Sequence, residues 1–456
     1  LVLKNERYFA LSLMPFSINM VKLLIFFYFL ISSIYWFIRI YVSNKWLVKN
    51  RKLPLANKGV FNFIIIIPVL NEGKIIKDTI KYFLDLLESF NDSKLIIVTT
   101  SKELLNVDCP EENTINILKS INYDKLVKIN YSGVDGKMAH QLNFAIDYLL
   151  KNNILNHQLV GVYNADSRPE KETFSWVAAS FNTSDKVLQQ YGNYFNNLDS
   201  ISKKSFFSKS ILFSSSTWQN RWSIGFEVFN NLKQLSLLNN KKYPLLYPIN
   251  YCIGHGLFFT KDIFLDVGGF SENTHNEDAI LGLELCYKKE YIKPIPYFDY
   301  ADSPNSLKSL FFQKATWFFG PFQSFTYYDI LRRKNRRTNH FKLFILSSKL
   351  FLHAVYWVVG PLLLLYLFIH SLIAKDFLLF IITYFVYLVI PNFIAYLLTG
   401  KDKKIKTYKV FIYIFIGSFF AYILHGLSAY YSILRSIYSL LTKKKIEKYK
   451  TKMLRE

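Results

Sequence analysis

Three short stretches carry side chains whose types and spacing suit chemistry. In Pro68-Val69-Leu70-Asn71-Glu72-Gly73 a β-branched run stops and a helical pattern starts. Free N–H groups at a helix start can meet an anion; the same residues also make an ordinary strand-to-helix turn with a helix-favouring Glu72. In Tyr163-Asn164-Ala165-Asp166-Ser167-Arg168-Pro169, Asp166 is suited to hold a hard divalent cation bridging a diphosphate. The plainer reading is an Asx turn before Pro169. The third stretch runs from Gly268-Gly269-Phe270 to His275-Asn276-Glu277-Asp278. Its adjacent acids either cap the helical 279–290 segment or set a general base against an acceptor hydroxyl.

The flanking sequence supplies elements that would position these groups. Segment 61–67 (Phe-Asn-Phe-Ile-Ile-Ile-Ile) is a continuous apolar run closed by Pro68, as expected for a strand buried on both faces. A helical stretch over 73–90 follows. Then come strands at 95–100 and 126–131, a helix over 137–150 and a strand at 159–163. Strands alternating with helices predict an α/β domain with a doubly wound, mostly parallel sheet. In such sheets ligands bind at the carboxyl ends of the strands, where the first two stretches fall.

Composition points to a membrane. Hydrophobic residues make up 51% and aromatics 18% of the 456 residues, and much of this lies in long runs. Segments 350–374, 377–400 and 410–434 contain no Asp, Glu, Lys or Arg, and each is long enough to cross a hydrocarbon core. Segment 21–42 is interrupted only by Lys22 and Arg39 near its ends, where long side chains snorkel. It is longer than a signal-peptide core and reads as a retained anchor; the chain opens on Leu1, with Met14 and Met20 as later candidate starts. The net charge of +23 gathers beside these runs, in 45–58, 332–342, 401–409 and 443–456. That pattern follows the positive-inside rule and attraction to anionic headgroups, and argues against nucleic acid.

The expected organisation is an N-terminal anchor (1–43), a basic linker (44–60), a cytosolic domain (61–330), C-terminal transmembrane helices (331–441) and a basic tail (442–456). The protein is then a multi-pass integral membrane protein, of the plasma membrane if prokaryotic. The runs 350–374 and 377–400 form a hairpin about Lys375-Asp376. A last span leaves the basic tail on the far side unless 410–441 lies partly in the interface. Cys109, Cys252 and Cys286 read as small apolar residues in a reducing compartment.

Taken in order, the motifs resemble family 2 glycosyltransferases, the membrane group that includes cellulose, chitin and hyaluronan synthases and ceramide glucosyltransferase. The resemblance covers about 61–320 and implies a GT-A type fold flanked by N- and C-terminal transmembrane helices. Pro68, Asn71 and Glu72 stand where that family opens its nucleotide site. Gly136-Lys137 through Leu142-Asn143 look like its Gly-Lys…Leu-Asn element beside the nucleotide. Asn164-Ala165-Asp166 looks like its Asp-X-Asp metal motif, with Asp166 as the clearer ligand. Gly254-His255-Gly256 and Gly268-Gly269-Phe270 look like the loop lining the acceptor. Glu277-Asp278 looks like its catalytic pair, with Asp278 as base. Gln313-Lys314-Ala315-Thr316-Trp317 looks like its Gln-X-X-Arg-Trp motif, with Thr316 in place of the Arg. At the end of the second strand Val98-Thr99-Thr100-Ser101 stands where an Asp is usual, so base recognition passes to hydroxyls such as that of Thr100, or to backbone. Gln219-Asn220-Arg221-Trp222 repeats the motif's pattern ahead of the acid pair, and reads as coincidence on a helix facing the acceptor channel.

The resemblance implies an inverting transfer from a nucleotide-diphosphate sugar, a UDP-sugar first, to a lipid or glycan acceptor, with Mg²⁺ or Mn²⁺ as cofactor, in the building of cell-envelope glycan. Asp278 takes the acceptor proton and Trp317 offers an aromatic face to a sugar ring, or serves as an interfacial belt residue. With Thr316 lacking a guanidinium, transfer of one or a few sugars is expected over a long polymer. The rivals are a processive polysaccharide synthase and a catalytically inactive membrane scaffold of the same fold. A transporter would need ionisable groups in its spans, and only His353, His370 and His425 offer them.

Overall fold

The computed structural model describes residues 2–52, 62–105, 113–134, 136–154, 158–181, 186–238, 248–249, 252–334, 339–400 and 405–444. Cys109, residues 53–60 of the expected linker and residues 445–456 of the tail lie outside the described residues.

The strands are β1 (Asn62–Pro68), β2 (Lys94–Thr100), β3 (Leu126–Tyr131), β4 (Gln158–Val162), β5 (Arg168–Pro169), β6 (Val187–Asn193), β7 (Leu257–Thr260) and β8 (Ile292–Tyr300). They form one sheet in the order β3-β2-β1-β4-β7-β6-β8-β5. β1, β2, β3 and β4 pair in parallel. β7 runs antiparallel to both β4 and β6, β6 and β8 are parallel, and the short β5 closes the edge antiparallel to β8. The sheet is thus mixed and mostly parallel, as the alternation of elements predicts.

The apolar run of β1 is explained by its two faces. Side chains alternate across a strand. Phe63, Ile65 and Ile67 share one core with Ile76, Ile80 and Phe83 of α2 (Gly73–Leu87). Ile64 and Ile66 share the opposite core with Leu142 and Ile146 of α3 (Met138–Lys151). Burial on both faces removes any reason for polar residues at alternate positions.

Among the described residues four helices are long and apolar enough to cross a membrane: Asn19–Asn50, His340–Ala374, Leu378–Thr399 and Thr407–Thr442. The first belongs to a longer helix, α1 (Val2–Asn50), which continues past the boundary expected at residue 43. Between the sheet and the C-terminal helices lies α4 (Phe206–Trp222), which widens into a π-turn over Ser223–Val228 and runs on as Phe229–Leu238.

Two details tie α4 to the apolar helices. Pro391 has no N–H, so a helix must give up the carbonyl of Tyr387 four residues back. The Leu378–Thr399 helix answers with a π-turn over Phe385–Val389. Arg221 Nη1 donates to that Tyr387 carbonyl at 2.6 Å, with its guanidinium 4.5 Å from the Trp36 ring and 4.6 Å from the Trp218 ring. The Gln219–Trp222 pattern therefore includes a fully buried arginine that joins α4 to two apolar helices. On the other side, Gly417 brings the last helix against α4 so closely that a β-carbon at 417 would collide with the Ser210 carbonyl. Ser214 Oγ adds a bond to the Tyr413 carbonyl at 3.1 Å.

Candidate active site

The turn after β1 is held from below. Gln141 Nε2 donates to Val69 O at 2.9 Å and to Val98 O at 2.7 Å, pinning the ends of β1 and β2 together. Asn71 then takes φ of +54°, a left-handed conformation that asparagine tolerates better than most residues. Its N–H donates to Glu103 Oε1 at 2.8 Å, and the Glu72 N–H donates to Thr114 Oγ1 at 2.8 Å. Glu103 is fully buried, and its other oxygen accepts from Thr114 N at 2.7 Å. The protein itself therefore occupies both amides of this turn, and Glu103 is a residue the sequence reading did not single out. The Thr100 hydroxyl donates to Gly133 O at 3.0 Å. Pro68, Asn71, Glu72 and Thr100 are thus gathered at the carboxyl ends of β1 and β2.

Lys137 precedes α3. Its N–H meets His140 Nδ1 at 3.2 Å, and its ammonium donates to Thr274 O at 3.1 Å. Asn143 donates to Phe270 O and accepts from Phe270 N, both at 2.9 Å. The Lys137–Asn143 element is therefore stitched to the glycine loop that leads into α5 (Glu277–Lys288).

At the start of α5 the cap position is Asn276, and the acid pair follows it inside the first turn. Asp278 Oδ1 accepts from the neighbouring Ala279 N–H at 2.8 Å, while Oδ2 accepts from Gly254 N at 3.0 Å. Glu277 is buried beside it, and a β-carbon on Gly254 would stand 3.8 Å from Glu277 Oε1 and 3.6 Å from Asp278 Oδ2.

Gly254-His255-Gly256 links this acid pair to the Asn164–Asp166 turn. Gly256 has φ of +67°, and a β-carbon there would lie 2.7 Å from Gln190 Cβ; glycine alone lets its N–H reach Val162 O at 2.7 Å. Between the glycines, buried His255 sets Nδ1 2.7 Å from Asp299 Oδ2. Asp299 also accepts from Ser167 Oγ at 2.7 Å and from Arg168 N at 2.8 Å, fixing the turn that carries Asn164 and Asp166. Burial works to lower the His255 pKa, but the hydrogen bond and charge of Asp299, aided by Asp166 and Glu227, hold it above the ordinary value.

Asp166 is buried, and its Oδ2 accepts from Asp302 N at 3.3 Å. Burial, then the negative charges of Asp302 and Glu72, push its carboxyl up to about 7. Asp302 itself is held by Asn196 Nδ2 at 2.6 Å. Among the described residues no three His, Cys, Asp or Glu side chains form a ready-made metal cluster. Mg²⁺ characteristically uses only one or two carboxylates with substrate phosphates, and a strained pair of buried acids fits that donor set. Asp299 and Asp302 went unnoticed in sequence; the available signal was the Asp-Tyr-Ala-Asp spacing at the end of a strand.

Residues 216–398, which include the π-turn, the glycine pair and the acid pair, match the model described as glycosyl transferase family group 2. The match covers less than half of the chain, which is similar to that family over this segment. The chain is similar to several solved structures. A mannosyltransferase from Pyrobaculum calidifontis, in complex with GDP-Man and Mn²⁺, has 12% identity and a TM-score of 0.44, covering 91% of this chain and 99% of that one. S. aureus TarS 1–349 in complex with UDP-GlcNAc has 14% identity and a TM-score of 0.34, covering 70% and 89%. Glucosyl-3-phosphoglycerate synthase from Mycobacterium tuberculosis has 10% identity and a TM-score of 0.30, covering 52% and 68%. No curated protein sequence matches the chain.

The glycosyl transferase segment also contains α6 (Leu307–Phe322), which bears Gln313 and Trp317. Buried Lys314 donates to Gln219 Oε1 at 2.8 Å and sits 3.9 Å above the Trp317 ring. Tyr194 meets the same ring edge-on at 6.1 Å. Gln313, Trp317 and Gln219 line one narrow cleft with Tyr194 and Ser303. Glu227, on the π-turn, is buried with Oε2 lacking any hydrogen-bond partner. Burial first, and the charge of Asp278, push it up to about 8 against the opposing effects of His255 and Lys314.

Proposed function

We propose that this protein is a membrane-bound, inverting glycosyltransferase that moves a sugar from a nucleotide-diphosphate donor, a UDP-sugar first, to a hydroxyl of a lipid-linked or glycan acceptor. The observation that carries the reading is the Gly254-His255-Gly256 bridge. It ties Asp278, which accepts a hydrogen bond from the Gly254 N–H, to the Asp299-braced turn that presents Asp166. This arrangement supports reading Asp278 as a base and Asp166 as a cation ligand on two sides of one short backbone segment.

In this reading the donor occupies the strand ends near Pro68, Asn71, Glu72, Thr100, Lys137 and Asn164. Asp166 and Asp302 would hold Mg²⁺ or Mn²⁺, and the cation would offset charge on the leaving diphosphate. Asp278 accepts the acceptor's proton as its oxygen attacks opposite the diphosphate. The amides of Gly254 and Ala279 fix the direction in which its carboxylate points. Glu277 supports it, while His255, Gln313 and Trp317 line the acceptor side. The catalytic part is 61–330 and faces the cytosol, with the apolar helices as anchors. Thr316 spends its hydroxyl on the Phe312 carbonyl of its own helix, so the motif's missing guanidinium is not replaced there, and short products follow.

The experiment incubates purified membranes with a panel of radiolabelled nucleotide sugars. Label entering a lipid or oligosaccharide fraction supports the proposal, and gel filtration sizes the product. Label in no fraction with any donor would reject it in favour of a scaffold.

A further inference from the structure

Lys314, in the cleft that Gln313 and Trp317 also line, is a buried group to which the transfer reading gives no role. Taking an ammonium out of water is costly unless it is paired. Lys314 is 2% exposed, yet both its partners are neutral: the Gln219 amide oxygen and the Trp317 ring. Among the described residues no carboxylate stands within ion-pair distance of it. Glu227, the acid whose charge reaches it, is itself pushed up to about 8 by burial and is mostly protonated at neutral pH. A buried amine that opens on a cleft, with only neutral partners, is the arrangement expected where the anion that would charge it arrives with a ligand.

The position of the cleft narrows the choice of ligand. One wall is Ser303, the chain neighbour of Asp302, whose N–H touches Asp166. Ser303 Oγ lies 2.6 Å from Ser216 Oγ on α4. The opposite wall includes Ser215, whose hydroxyl is 3.1 Å from Nε2 of His425 on the last apolar helix. The cleft therefore runs between the buried acid pair and the apolar helices, with the Lys314 amine inside. Lys314 and Trp317 are three residues apart on α6 and so share a face, whereas Thr316 is turned into its own helix.

We infer that this cleft is a phosphate-binding site, in which the Lys314 amine, protonated as the ligand enters, holds a phosphate oxyanion of a substrate. The inference rests on the glycosyl-transfer reading for its two sources: the diphosphate of the donor, reaching past Asp302, or the phosphate of a lipid acceptor, reaching in beside His425. Burial holds the free lysine well below its usual range, so an incoming phosphate would draw a proton onto it.

The test uses the full chain in phosphatidylcholine nanodiscs and titration calorimetry with inorganic pyrophosphate, UDP and GDP in Mn²⁺, and a short-chain polyprenyl phosphate. Lys314→Met should weaken at least one ligand about 10- to 100-fold, the size of one lost charge-assisted hydrogen bond, while Lys314→Arg stays within a few-fold of wild type. Loss with the nucleotides assigns the site to the donor, and loss with the polyprenyl phosphate alone assigns it to the acceptor. Proton uptake on binding, read in buffers of different ionisation enthalpy, should vanish in Lys314→Met. Unchanged affinities in Lys314→Met, a wild type that binds none of the ligands, or a lowered Tm with unchanged affinities would each overturn the inference. The last would make Lys314 a structural clamp on Trp317. The transfer reading is scored separately by the labelled donors: wild type that transfers no sugar but binds phosphate through Lys314 rejects that reading and keeps the site.

Discussion

Nδ1 of His255 lies 2.7 Å from Oδ2 of Asp299, and this buried contact locks the glycine-flanked segment to the turn bearing Asp166. The raised His255 pKa gives the contact a pH signature. A histidine bound more tightly when charged contributes stability that is complete below its unfolded pKa of about 6.5. That stability fades as pH climbs through the higher folded value. His255→Asn should therefore cost about 1–3 kcal/mol at pH 6 and distinctly less at pH 9. Equal losses of thermal stability at both pH values would show that the charge of His255 is not involved.

Asp278→Asn keeps the shape of the side chain, and its amide oxygen can still accept from Gly254 or Ala279. It cannot take up a proton at neutral pH. Sugar transfer should fall about 10²–10⁴-fold, with folding and nucleotide binding retained. A variant as active as wild type would remove Asp278 from the role of base.

Asp166 carries the test of the cation. Its raised pKa means that the ionised form is disfavoured in the metal-free fold, so wild type loses stability as pH rises from about 4 through about 7. Added Mn²⁺ at pH 8 should raise the Tm of wild type by mass action, and Asp166→Asn should show little of that rise. A full Mn²⁺ shift in the variant, or sugar transfer undiminished in excess chelator, would count against a cation at Asp166.

Glu227 offers a stability test independent of any substrate. Its carboxyl titrates near 8 in the fold against an ordinary 4.5, so the acid costs stability as pH rises between those values. Glu227→Gln should be more stable than wild type at pH 8.5, by on the order of a few kcal/mol, and nearly equal to it at pH 4. Denaturation at the two pH values decides this, and a variant less stable at the higher pH would contradict it.

Orientation can be read by labelling. Lys119 is exposed on the sheet domain, and Cys252 and Cys286 are buried. With Cys109 replaced by Ser, Lys119→Cys should react with a membrane-impermeant maleimide only after cells are opened. Reaction on intact cells would put the domain on the outer side.

The first half of the sheet was legible because its residues face one kind of environment. β1 is apolar at every step since both faces are covered, and α2 and α3 show clean helical spacing against it. The second half hides its strands. β6 reads Val-Leu-Gln-Gln-Tyr-Gly-Asn, with Gln189 and Gln190 buried by hydrogen bonds instead of by apolar contact. β8 holds Pro294 and Pro296, which disguise a strand. At the candidate site the acids with motif spacing, Asp166 and Asp278, stood out. Glu103, Asp299, Asp302 and Glu227 did not, because their meaning comes from partners 11 to 136 residues away along the chain, or from the lack of any partner.

Gly417 lets the last apolar helix touch the backbone of α4 at Ser210, and the π-turn at the end of α4 carries Glu227 into the site. With that helix in a bilayer, no side chain is left between the two backbones to act as a spring. Under the proposed function the height of the acid cluster above the lipid would then be fixed by that contact, like the stop on a drill. A membrane-bound acceptor would have to bring its hydroxyl to that height, and a side chain at 417, which must push the Ser210 backbone away, would shift it.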